Sequence, residues 1–139
     1  MNPKERHRAR GMIIQALYEK DISNNENQQI IAGFLIDNPT LKFDRSYFQT
    51  SFITISASLS ELDILYGKYL DRAFSALDPV SKAILRLGSF ELKHQLEIPH
   101  KVVINEAIEL AKNYGAKDSH KFINGILDKL AKEIRITEI

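Results

Sequence analysis

A chain of 139 residues, 44% of them hydrophobic, is long enough for one domain with a proper core. Its 19 Lys and Arg against 18 Asp and Glu leave a net charge of +1, so bulk electrostatics does not mark a nucleic-acid binder and the local placement of charge has to be read. Cysteine is absent, which excludes disulfides and thiolate metal sites and is compatible with a reducing cytoplasm; no apolar run follows the basic N-terminus, and none approaches the roughly 20 residues of a membrane span.

Helical spacing dominates from the start. Asn2-Pro3 is a good helix start, and Ala9, Met12, Ile13, Ala16 and Leu17 form one buried stripe. Residues 22–27 are polar and read as a loop. A second helix covers about residues 27–36, and Asn38-Pro39 breaks it. Residues 44–57 could be misread as a strand near Phe52 to Ile55, but the Phe48/Phe52/Ile55 spacing favours a helix. Ser60 with Asp63 resembles a capping start for a helix through about Asp71. Asp78-Pro79 is an N-cap and N1 pair, followed by Val80, Ala83, Ile84, Leu87 and Phe90 at helical spacing. Ile98-Pro99 opens the next helix, which ends at Gly115 as a C′ glycine. Asp118 caps the last one, whose stripe is Ile123, Ile126, Leu127, Leu130, Ala131 and Ile134. Seven helices, short connections, and no strand, repeat or low-complexity tract predict an all-α bundle.

The chemistry-bearing residues sit at the two ends. Lys4, Arg6, Arg8 and Arg10 oppose only Glu5. On a wheel of about 100° per residue, Arg10, His7 and Tyr18 leave the core stripe on one side, with Arg6 at its margin and Arg8 on the other flank. In the last helix Phe122 lies roughly 110° from the core centre, with Lys121 further out. Arginine gives bidentate phosphate contacts and an aromatic ring gives a base a surface to stack on. The bland alternatives stay open: a basic first turn is usually a solvated face, and Phe122 and Tyr18 could each pack against a neighbouring helix. Arginines in a first turn oppose the helix dipole, a mild cost that function could explain.

Other constellations are weaker. His7, His94, His100 and His120 show no metal-ligand spacing, and His100 and His120 read as surface residues. Glu106 and Glu109 read as solvated, and the six glycines form no phosphate-binding loop. Asn105 and Asn124 sit inside helices against their propensity, which a buried polar contact between helices could explain. No enzyme motif is present.

Several segments resemble the family of the transcription antitermination factor NusB. These are Arg6-His7-Arg8-Ala9-Arg10 with Gln15-Ala16-Leu17-Tyr18, the run from Ala83 to Leu92, the run from Ile98 to Lys112, and Asp118-Ser119-His120-Lys121-Phe122-Ile123-Asn124-Gly125-Ile126-Leu127-Asp128. The likeness spans nearly the whole chain, is weakest over about 22–76, and is highly specific after residue 78. It implies a single domain over 1–139, built as two three-helix bundles packed across each other, with the first and last helices as neighbours. It implies binding of boxA RNA jointly with NusE, a small-subunit ribosomal protein, in the antitermination complex of RNA polymerase, notably in ribosomal RNA operons. It implies no cofactor and no catalytic activity. By position, the RNA-contact candidates are Arg6, His7, Arg10, Tyr18, Arg86, Lys121 and Phe122, with Asp118 at the edge.

Two positions depart from the family pattern. His7 stands where arginine is commoner, so that phosphate contact would be weaker and pH-dependent. Asp78-Pro79-Val80-Ser81 replaces a stretch where relatives often place an acidic residue near the partner interface. Two other classes compete: the NusB-like domain that precedes ribosomal RNA cytosine methyltransferases, against which the lack of a glycine-rich loop and of cysteine argues, and a protein-only adaptor or homodimer. The sequence leaves monomer and homodimer both open.

Overall fold

The computed structural model describes residues 2–138, and among them there are seven α-helices, one 3₁₀ turn and no strand. The helices are α1 (Pro3–Ser23), α2 (Asn27–Asp37), α3 (Arg45–Ala57), α4 (Leu59–Gly67), α5 (Pro79–His94), α6 (His100–Tyr114) and α7 (Ser119–Ile134), with the 3₁₀ turn at Phe74–Ala76. They sort into two compact units that divide between Ser58 and Leu59. The first holds the three helices α1 to α3; the second holds the other four.

In the first unit, α1 begins where Asn2 places its side-chain oxygen on the Lys4 and Glu5 amides at 2.9 and 3.2 Å. The predicted stripe is buried, but burial runs wider than one stripe, because Arg10, Gly11 and Ile14 are also enclosed. The helix ends on Asn24, which takes the left-handed conformation at φ 56° and donates its amide to the Lys20 carbonyl. Asp44 caps α3 by accepting the Tyr47 amide at 3.0 Å. Phe48 is fully buried, with ring centroids of Phe34, Phe43 and Phe52 at 5.8, 5.9 and 6.4 Å. Each such ring pair adds about 0.5–1.5 kcal/mol to the area it buries.

In the second unit, α5 is the central helix. Every residue from Ala83 to Leu92 is buried, and α4, α6 and α7 all pack on it. Its start follows the Asp78-Pro79 reading: the Asp78 carboxylate accepts the Ser81 amide at 2.9 Å. Gly88 lets α7 come close, since a Cβ there would meet Leu127 Cδ1 at 2.8 Å.

Several local expectations change. Helix α4 starts at Leu59, one residue after α3, and stops at Gly67, well before Asp71; Tyr69 and Leu70 close i→i+3 turns instead. Asp63 is not a capping partner, for its carboxylate faces α5 (below). Gly115 ends α6 but is extended, at φ −91° and ψ 175°. Its glycine is required by space, because a Cβ would lie 2.4 Å from Ser119 Oγ and 2.8 Å from the Ala111 carbonyl oxygen. Asp118 occupies the cap position of α7 in the left-handed region at φ 66°, yet its side chain accepts no amide. Asn105 and Asn124 are exposed, which removes the buried contact proposed for them.

The polar demand of α5 is met by one residue beyond the end of α7. Arg135 is 3% exposed. Its guanidinium donates to the carbonyls of Leu92 (2.7 Å), Ile98 (2.9 Å), Glu91 (3.1 Å) and Gln95 (3.2 Å). These include helix-end carbonyls that have no intrahelical partner. Glu138 accepts from Arg135 and also from the His100 amide. His100 is thereby part-buried and held by Glu138, and so departs from the surface position expected for it.

Two outcomes follow. Arg135→Ala removes donors from several buried carbonyls and should cost about 3 kcal/mol or more in urea unfolding, and Arg135→Lys should recover only part of it, because an ammonium lacks the planar fork. Hydrogen bonds from Arg135, and then from His100, hold the Glu138 carboxyl down from 4.5 to about 2. A depressed acid contributes stability above its unfolded value and loses it as pH falls through the folded one. The unfolding midpoint should therefore drop between about pH 4.5 and 2, and Glu138→Gln should flatten that limb.

Candidate nucleic-acid interface

In the first unit the candidates gather on α1. Arg6 donates from Nε to Asp44 Oδ2 at 3.1 Å, and its guanidinium carbon lies 3.7 Å from the centre of the Tyr47 ring. Asp44 thus does two jobs, capping α3 and holding Arg6. The Arg10 guanidinium carbon is 6.0 Å from the same ring, and the residue is only 4% exposed. This corrects the wheel, which put Arg10 on the surface: α1 is enclosed on a wide arc, and Arg10 falls inside it. His7 is half-buried. Arg8, on the other flank, donates to the Lys42 carbonyl at 2.8 Å. Tyr18 keeps 44% of its surface exposed, so its ring is open to a ligand.

In the second unit the candidates separate into a buried pair and an open strip. Arg86 projects from α5 and is 7% exposed. It grips Asp63 of α4 through Nε to Oδ1 and Nη2 to Oδ2, both at 2.9 Å. The fully buried Tyr66 donates its hydroxyl to Asp63 Oδ1 at 2.7 Å. Burial, and then the hydrogen bond to that carboxylate, push the Tyr66 phenol far above its usual range. Arg86 is therefore tied into the α4–α5 junction and is no open phosphate contact. On α7, Asp118 and Lys121 are both exposed, with Lys121 Nζ 3.6 Å from Asp118 Oδ1. Phe122 is half-buried, and the Arg72 guanidinium carbon sits 3.9 Å from its ring centre.

The structure adds residues that the pattern did not disclose. Tyr47 reads as one more aromatic of α3, and nothing in its spacing marks it as the ring under Arg6. Asp44, Asp63 and Arg72 find their partners through tertiary packing, at separations that periodicity does not see. A signal for Arg72 did exist: a cation two residues before an aromatic, Phe74, in a stretch with no helical stripe.

The pattern of the NusB family matches residues 7–132. The chain is 47% identical over 135 residues to the transcription antitermination protein NusB of Hamiltonella defensa, covering 97% of this chain and 89% of that one. It is 44% identical over 134 residues to the protein of the same name from Marinobacter nauticus, covering 96% and 85%. A solved structure of T. maritima NusB superposes with a TM-score of 0.81 at 34% identity, covering 91% of this chain and 90% of that one.

The geometry assigns Arg86 to the fold, and this can be tested by removing its carboxylate. Asp63→Ala leaves a buried guanidinium without its counter-ion and Tyr66 without its acceptor. It should cost about 3–5 kcal/mol in denaturant unfolding. Asp63→Asn, which keeps one oxygen to accept from Tyr66 and Arg86 Nε but sets an amide NH2 against Arg86 Nη2, should cost less than the alanine.

Proposed function

The chain belongs to the NusB family, and from that premise we propose that it is a transcription antitermination factor that binds the boxA element of nascent RNA jointly with NusE. In this reading it joins the antitermination complex of RNA polymerase in the cytoplasm and supports readthrough of ribosomal RNA operons. Its work is binding, without catalysis or cofactor. The observation that carries the RNA reading is the exposed Tyr18 on α1, together with the half-buried Phe122 beside Lys121 on α7.

The residues divide by role. Tyr18, Lys121 and Phe122 are the direct contacts: two rings for bases and one cation for a phosphate. Arg6 and His7 are half-buried and present the edge of α1. Arg10 and Arg86 act from buried positions and shape the surface. Asp118 at the edge repels phosphate and confines the strand. Joint binding suits the charge of the chain. A net +1 disfavours tight binding by this chain alone, which suits a partner or a short target site.

The deciding measurement compares a boxA-like RNA with a scrambled one across salt, with and without NusE. The expected outcome is preference for boxA, tightened by NusE and weakened by salt; equal affinity for both RNAs would sink the proposal. Phe122→Ala should cost about 1–3 kcal/mol of RNA affinity. Lys121→Ala should instead reduce the salt slope by about 1 and weaken all sequences alike.

A further inference from the structure

The first turn of α1 and the N-terminal end of α3 are joined at Asp44. Its amide donates to the Glu5 carbonyl at 3.0 Å. Its two carboxylate oxygens are divided between the helices: Oδ1 accepts the Tyr47 amide at 3.0 Å, and Oδ2 accepts Arg6 Nε at 3.1 Å. Tyr47, in the first turn of α3, lies against the same guanidinium, with Arg6 Cζ 3.7 Å from its ring centre. The Arg10 guanidinium carbon is 6.0 Å from that ring.

Two arginines at i and i+4 on one helix repel, and a cation in the first turn opposes the helix dipole. An arginine so placed would by default swing into solvent and sample many rotamers. Arg6 does not. The Tyr47 ring covers one face of its guanidinium and attracts the charge, and Asp44 holds the Nε edge. The side chain keeps 17% of its surface exposed. What remains for a ligand is the outer face and the Nη edge, whose paired N–H donors match the oxygens of a phosphate.

We propose that Tyr47 and Asp44 are positioning residues for the RNA site, fixing the Arg6 guanidinium so that its Nη edge is set for one phosphate of the strand before the strand arrives. The inference rests on the RNA-binding reading above and gives α3 a part in it. Tyr47 acts through Arg6 and not by touching the strand. Asp44 answers the Arg6 charge within the fold, so the worth of the contact lies in placement. A side chain already ordered in the free protein spares the cost of ordering it on binding.

The experiment measures anisotropy of a labelled boxA-like RNA on the full chain with NusE, with thermal unfolding as the check on folding and the Arg6 Nε–H signal in NMR as the readout of its position. Tyr47→Leu should weaken binding about 2- to 10-fold and broaden that signal. Tyr47→Phe, which keeps the ring, should restore both. In an Arg6→Ala background Tyr47→Leu should lose nothing further, since nothing is left to position; a purely structural tyrosine would cost the same in both backgrounds. Asp44→Asn keeps an oxygen for the α3 cap and sets an amide NH2 against Arg6 Nε. It also removes a negative charge beside the site, so charge alone would tighten RNA binding, whereas lost positioning weakens it. Unchanged affinity in folded Tyr47→Leu, a Tyr47→Phe as weak as Tyr47→Leu, equal losses in the two backgrounds, or tighter binding by Asp44→Asn each overturns the proposal and leaves the proposed function standing. Should Tyr47→Leu fail to fold, Asp44→Asn decides. If the unaltered chain with NusE binds the boxA-like RNA no better than a scrambled one, both readings fall.

Discussion

A helix enclosed on every side must have its end carbonyls answered from elsewhere, and in this protein one guanidinium does that for α5. Of the last turn of α5, Glu91 and Leu92 are buried, whereas Lys93 and His94 are exposed. A glycine cap could turn the chain but could not reach several carbonyls at once. The planar fork of Arg135 can, because it carries five donors in one rigid group. It also draws in Glu138, which accepts the His100 amide at the start of α6. The C-terminal end of α5, the N-terminal end of α6 and the C-terminal end of α7 are thereby joined through one side chain and its carboxylate, and the helix packing of the second unit follows from that junction.

Arg86 plays the matching part on the α4 side. A buried ion pair is weak evidence of net stability, since apolar residues of the same volume often do as well. What the pair does supply is register. Two donors of Arg86 meet the Asp63 carboxylate, which also accepts the Tyr66 hydroxyl of its own helix, so α4 cannot slide along α5 without breaking both bonds to Arg86. Fixing α4 also fixes where the following connection begins, and so where Arg72 and Phe74 stand on the surface.

The helices were legible because their causes are local. Asn2, Asp44 and Asp78 cap within three residues, and the apolar stripes of α1, α5 and α7 repeat at the helical period. The errors also have local causes. Ser60 with Asp63 satisfied a capping pattern, but a carboxylate recruited by an arginine 23 residues away is lost to local capping. Gly115 and Asp118 were given the right positions with the wrong geometry: steric room decides the first, and the second turns the chain without using its side chain. The site was less legible than the fold. Tyr18, Lys121 and Phe122 lie where the wheel put them, at helix edges. Arg10 and Arg86 do not, because a wheel with one partner cannot represent a helix enclosed by several.

The same distinction governs how such a surface can hold RNA. Arg6, Arg72, Arg86 and Arg135 each face a carboxylate: Asp44, Asp71, Asp63 and Glu138. Arginines whose charge is answered within the fold contribute planes and rigid hydrogen bonds more than long-range field. This reconciles a net charge of +1 with a nucleic-acid role. Affinity built on stacked rings and guanidinium planes is short-ranged, depends on unpaired bases, and carries little salt dependence of its own. Under the proposed function, such a surface would select single strands over duplexes, because paired bases do not offer their faces. In that same reading, Lys121 supplies one phosphate contact and a partner the rest of the electrostatic share, which would make a joint complex the working form.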